Sequence, residues 1–152
     1  MSATLPLLLE QAENERDAAL ARMLQADDAA RQARAQADQL HAYREDYRRR
    51  APALNGKSAT IELVRCHQGF MQRLDQAIEQ QRAQLATLEQ QVAALRAALQ
   101  EREVRVAAVK KLIERRAEEQ QRVALRSEQR ATDEAALRLS YGRATFDFAR
   151  KH

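Results

Sequence analysis

A heptad repeat that begins near Val64 and continues for about nine repeats limits what this chain can fold into. Its a positions are Val64, Met71, Ile78, Leu85, Val92, Leu99, Val106, Ile113 and Gln120, and its d positions are His67, Leu74, Gln81, Leu88, Leu95, Arg102, Val109, Arg116 and Val123. Helices in compact domains typically have about 8 to 20 residues, so a repeat of this length predicts a long coiled-coil helix. The chain is predicted to be an elongated all-α protein.

The only strong helix-breaking signals lie in residues 51–58, where Pro52 ends a helix, Asn55 and Gly56 form a turn, and Ser58 can cap the next helix. We therefore predict one coiled-coil unit with helices at about 4–50 and 59–140. The first helix has its own heptad, and its seam is mostly alanine. After Leu139 the sequence departs from the repeat, and Gly142 predicts a frayed tail from about 141 to 152.

An antiparallel hairpin places a residues opposite d residues, so the numbers of facing residues have a constant sum. We predict a sum of 111, with slips of seven residues as the alternatives. This register places small residues opposite large ones, which favours close packing. The predicted pairs are Ala12 with Leu99, Ala19 with Val92, Ala26 with Leu85, Ala33 with Ile78 and Ala37 with Leu74. In this register the second helix overhangs the first from about Ala107 to Leu139.

Composition argues against an enzyme. The chain has 45% hydrophobic and 4% aromatic residues, and a narrow helical seam leaves little room for a catalytic cavity. Three dispersed histidines, the lone Cys66 and the lack of a Gly-rich phosphate loop predict no catalytic residue, metal site or cofactor. Leu5 to Leu9 is too short to cross a membrane, so we expect a cytoplasmic protein without direct membrane insertion.

Several short stretches resemble the family of the flagellar export protein FliJ. The stretches are Leu7 to Leu9, Ala12 and Glu13, Glu15 to Asp17, Tyr43 to Arg48, Gln68 to Phe70, Leu74 to Gln81, Gln129, and Asp133 to Ala135. Their order and their spacing around the turn cover nearly the whole chain. The resemblance implies a non-enzymatic component of flagellar type III protein export, similar to the central stalk of rotary ATPases.

Family membership would imply several partners. The overhanging helix would enter the hexameric FliI-type export ATPase and promote its assembly and hydrolysis. The protein would also couple this ring to the FlhA-type export gate at the inner membrane, and family members are reported to bind export chaperones. We expect a monomer or a weak homodimer when the protein is free.

Two sets of candidate contact residues follow from the resemblance and the heptad. The family's gate-binding surface corresponds to Gln36, Leu40, Tyr43, Tyr47, Phe70, Leu74, Ala77 and Gln81. His67 departs from the family pattern because relatives often have an aromatic residue there, and Gln81 replaces a residue that is His in some relatives. The ATPase-binding candidates are Val106, Val109, Ile113, Arg116, Gln120, Val123, Gln129, Asp133 and Glu134.

Other interpretations remain open at the level of sequence. One is a stalk protein of an injectisome, and another is a structural coiled coil that assembles with itself. The net charge of +4 and the run Arg48 to Arg50 raise nucleic-acid binding, which is the least favoured because 26 basic residues are interspersed with 22 acidic ones.

Overall fold

The structure, a computed structural model, describes residues 4–50 and 60–151. They form two helices, α1 from Thr4–Arg49 and α2 from Ile61–Lys151, with no strand in these two ranges. The helices pack against each other, which confirms the predicted all-α antiparallel hairpin in which the second helix overhangs the first. The turn predicted at residues 51–58 lies outside the described residues.

Thr60 caps the start of α2. The backbone N–H of Leu63 donates a hydrogen bond to Oγ1 of Thr60 at 3.3 Å, and the N–H of Val64 donates to the Thr60 carbonyl at 3.2 Å. The first contact satisfies one of the N–H groups that a helix start leaves without an intrahelical partner, and the second is the first backbone hydrogen bond of the helix itself. Ser58, which the sequence suggested as the cap, is outside the described residues.

The chain divides into two compact units, and the first of them contains residues Gln11–Arg105. Here α1 and α2 run antiparallel, with small and large apolar side chains sharing a narrow seam. Its most buried members from α1 are Ala12, Ala19, Ala30 and Ala33, and those from α2 are Leu74, Ile78, Val92 and Leu99.

The register in this unit differs from the predicted one by seven residues. The residue numbers add to 117 in three cross-helix contacts: Gln36 with Gln81, Glu15 with Arg102, and Tyr47 with Phe70. Registers that pair a positions with d positions have sums seven apart, and the one nearest to 117 is 118 rather than 111. In this register Ala19 lies opposite Leu99 and Ala26 opposite Val92. The predicted register was therefore wrong by one heptad.

The alanine seam explains this error. Because the d positions of α1 from Ala12 to Ala33 are all alanine, a slip of one heptad still places a small residue opposite a large one. Polar contacts distinguish the two registers. In the observed register Glu15 accepts hydrogen bonds from Arg102 at 2.9 Å and from Arg105 at 3.1 Å.

The second unit contains residues Met1–Glu10 and Val106–His152. Leu5 and Leu9 of α1 are half-buried, as are Val109 and Ile113 of α2, and Val106 is only 4% exposed. The overhang was predicted to begin near Ala107. In the structure every residue of α2 from Glu114 to Lys151 is exposed, so the overhang begins at Glu114. The seven-residue difference in register accounts for this shift.

The predicted fraying after residue 141 is also incorrect, because α2 continues to Lys151. Glycine inside a helix costs about 1 kcal/mol relative to alanine, which the neighbouring helix-forming residues can offset. In addition, Oγ1 of Thr145 donates to the carbonyl of Tyr141 at 2.8 Å and lies 3.0 Å from that of Gly142. The heptad also keeps its phase, since Tyr141 and Phe148 fall at a and Leu137 and Ala144 at d.

Candidate functional site

An aromatic cluster lies at the loop end of the first unit. Tyr47 is at its centre: its ring centroid lies 4.6 Å from that of Phe70 and 4.8 Å from that of His67. Tyr43 lies on the outside, with centroid distances of 6.4 Å to both Tyr47 and Phe70. Aromatic rings at these separations attract one another beyond the burial of their area. We call Tyr43, Tyr47, His67 and Phe70 the aromatic cluster.

The structure brings together the eight residues predicted for gate binding. Gln36 and Gln81 are joined by a hydrogen bond from Nε2 of Gln81 to Oε1 of Gln36 at 3.1 Å. Leu40 and Ala77 are half-buried, Leu74 is 8% exposed, and three residues of the set belong to the aromatic cluster. Tyr43 is 52% exposed, so it offers the largest ring surface to a partner.

His67 is the member of the cluster that sequence reasoning did not assign to the set. Its ring stacks on Tyr47 with an interplanar angle of 12°, and its buried Nδ1 has no hydrogen-bond partner among the described residues. The imidazole therefore packs as a flat ring against Tyr47. The sequence feature that could have identified His67 is its d position in the α2 heptad, close to Phe70 at g.

Charged residues flank the cluster without entering it. Nε of Arg44 donates a hydrogen bond to Oδ1 of Asp75 on the opposite helix. This hydrogen bond, followed by the charge of Asp75, raises the pKa of Arg44 above its ordinary value. The pair marks the polar border of the predicted gate-binding surface.

The predicted ATPase-binding residues fall into three groups. Val106 is 4% exposed and so offers no side-chain surface to a partner, whereas Val109 and Ile113 are half-buried. Arg116, Gln120 and Val123 line an open groove together with Leu5 and Pro6 at the start of α1. The last group is exposed, and in it Nε2 of Gln129 donates to Oδ1 of Asp133 at 3.2 Å while Glu134 borders a shallow hollow with Leu137 and Tyr141.

The exposed part of α2, residues 114–151, has large apolar side chains in contact with solvent. They are Val123, Leu125, Leu137, Leu139, Tyr141, Phe146 and Phe148, and each is at least 58% exposed. A helix that exposes this many apolar side chains is typical of a segment that binds a partner. We call residues 114–151 the exposed segment.

Two other features, a metal-binding cluster and a membrane-spanning helix, are not found in the described residues. These residues contain no group of three or more His, Cys, Asp or Glu side chains that could hold a metal ion. No helix in the described part of the chain is long and apolar enough to span a membrane. The exposed apolar side chains of α2 are the feature that favours recognition of a partner.

Comparison with known proteins points in the same direction. The family model described as "Flagellar FliJ protein" matches residues 1–145. No curated protein and no solved structure gave a match.

Proposed function

Because the chain belongs to the flagellar FliJ protein family and is thereby a component of flagellar type III export, we propose that it acts there as a stalk that binds the export ATPase and the export gate. In this proposal the exposed segment of α2 enters the central hole of the hexameric FliI-type ATPase and promotes ring assembly and hydrolysis. The aromatic cluster and its neighbours bind the FlhA-type gate. The protein would work on the cytoplasmic side of that gate.

The observation that carries the ATPase proposal is the exposed segment itself. All residues from Glu114 to Lys151 are exposed although the helix continues without a break. A single helix is only about 10 to 12 Å wide with its side chains, which suits a narrow central hole. Val123 continues the d positions of the heptad and is 59% exposed, so it is a candidate anchor.

The gate proposal is supported by the way in which the aromatic residues are held. Tyr and Phe side chains that are partly buried and fixed by neighbours are frequent anchors of protein interfaces. The ring of Tyr43 packs against the rings of Tyr47 and Phe70, and the polar pair Gln36 and Gln81 borders the same surface. Family membership also suggests that export chaperones bind the chain, and we assign no surface to them.

The ATPase proposal can be tested by titrating the chain into the purified flagellar export ATPase and measuring the rate of ATP hydrolysis. A chain that ends at Ala117 is the matched comparison, because it keeps Ile113 and the packed part of the molecule while losing most of the exposed segment. We expect the full chain to stimulate hydrolysis and the shortened chain not to. Equal stimulation by both would place the ATPase contact elsewhere.

A further inference from the structure

The heptad of α2 becomes apolar again beyond Arg130. The a and d positions there form what we call the terminal seam: Glu134, Leu137, Tyr141, Ala144, Phe148 and Lys151. All six are exposed, and Leu137, Tyr141 and Phe148 are 68%, 72% and 68% exposed. Large apolar side chains that keep the coiled-coil phase on an exposed helix predict a helical partner.

The terminal seam is separate from the seam before it. The preceding a and d positions are mostly polar, with Arg116, Gln120, Ser127 and Arg130 at four of five places. Val123 is the only apolar residue among them. A partner of the terminal seam therefore has about 18 residues to contact, which is roughly five turns of helix.

The terminal seam is complementary to itself when two copies run antiparallel. In the alignment where facing residue numbers add to 285, Leu137 faces Phe148 and Tyr141 faces Ala144, each twice by symmetry. Large residues thus face small ones at the centre, and Glu134 faces Lys151 at both ends. Opposite charges at the ends of a short apolar seam select both the orientation and the register of a coiled coil.

The parallel alternative lacks this match. It would place Glu134 opposite Glu134, Lys151 opposite Lys151 and Tyr141 opposite Tyr141, and like charges in direct contact are unfavourable. We propose that a second copy of this chain docks on the terminal seam in the antiparallel orientation. A contact of six seam layers belongs to the small interfaces, below about 1,200 Å², that form and separate readily.

Sedimentation velocity of the full chain, between about 5 and 200 µM, covers the micromolar affinity expected of so small a contact. The measurement is made under reducing conditions because Cys66 is exposed and could link two copies covalently. We expect a reversible equilibrium between monomer and dimer. A constant monomer mass over the whole range would overturn the proposal and leave the seam to a different protein.

Charge exchange tests the antiparallel register. Lys151→Glu should raise the dissociation constant at least about fivefold, because it places two carboxylates together at each end, and Glu134→Lys/Lys151→Glu should restore it to within about twofold. Arg150→Glu is the matched control, since it makes the same charge change at an outer c position. Failure of the double variant to restore association, or an equal effect of the control, would contradict the register. The readout needs no ATPase, so it is independent of the proposed function.

Discussion

At the residue scale, the two tyrosines of the aromatic cluster have different surroundings. Tyr47 contacts the rings of Tyr43, His67 and Phe70, whereas Tyr43 is 52% exposed and lies at the edge. A side chain in the centre of a cluster contributes mainly to stability, and one at its edge is available to a partner. The sequence predicted both tyrosines as gate-binding residues but did not distinguish a stabilising role from a binding role. That distinction depends on which rings surround each tyrosine in the folded structure.

Substitution of the two tyrosines should separate stability from gate binding. Tyr47→Ala removes contacts with three rings and should lower the free energy of unfolding by about 1–3 kcal/mol. Tyr43→Ala should change it by no more than about 0.5 kcal/mol, yet weaken binding to the gate protein. Urea denaturation and calorimetric titration measure the two effects. Gate binding unchanged by Tyr43→Ala would remove Tyr43 from the interface.

Gly69 gives a second prediction at this scale. A Cβ added at Gly69 would meet no atom within 4 Å, and the residue has ordinary helical surroundings. Gly69→Ala should therefore stabilise the chain by up to about 1 kcal/mol. Gly142→Ala has the same open space but lies in the exposed segment, so it should leave the midpoint of thermal unfolding unchanged. Circular dichroism during heating reports both midpoints, and a lower midpoint for Gly69→Ala would contradict this reading.

At the scale of the helices, the sequence predicted the main features and missed the register. The long heptad, the alanine seam and the break near Pro52 were enough to predict an antiparallel hairpin with an overhanging second helix, which the structure confirms. Alanine at successive d positions does not distinguish registers seven residues apart. The distinction comes from long polar side chains such as Glu15, Arg102 and Arg105, whose reach across the seam has no simple sequence pattern.

The gate-binding set and the exposed segment illustrate the same limit. The gate-binding residues repeat at g and d on two helices, so their gathering on one side could be predicted from the repeat alone. The start of the exposed segment depends on the register, so it was placed about one heptad too early. Gly142 was overestimated as a helix breaker because a single glycine costs only about 1 kcal/mol among residues that favour helix.

Charge reversal tests the observed register. Arg34 and Glu89 form an ion pair across the helices, although both side chains are partly exposed. Arg34→Glu and Glu89→Arg should each lower stability, and the double variant should recover about 0.2–1 kcal/mol relative to additivity. Glu79→Arg combined with Arg34→Glu is the control, since Glu79 instead contacts Arg82 on its own helix. Thermal unfolding at low salt measures the coupling energy between the two substitutions. A coupling energy of zero would contradict the observed register, in which facing residue numbers add to 118.

At the scale of the whole molecule, the chain has two kinds of surface in its two units. The first unit contains the aromatic cluster and the second contains the exposed segment. The net charge is only +4, and basic side chains form ion pairs with acidic ones, such as Arg44 with Asp75 and Arg96 with Asp27. This pattern agrees with a solvated coiled coil better than with a nucleic-acid-binding face. The chain belongs to the flagellar FliJ family, and in the proposed function both surfaces bind protein partners of the export apparatus.

The most direct test of the stalk proposal compares two substitutions in the exposed segment. Val123 and Leu125 are 59% and 58% exposed, but Val123 lies at d on the seam and Leu125 lies at f, on the outer side of the helix. Neither Val123→Asp nor Leu125→Asp should unfold the protein, because neither side chain is buried. In the ATP hydrolysis assay with the flagellar export ATPase, we predict that Val123→Asp loses most of the stimulation and that Leu125→Asp keeps it. Full stimulation by Val123→Asp would contradict the claim that the seam of α2 is the surface that engages the ring.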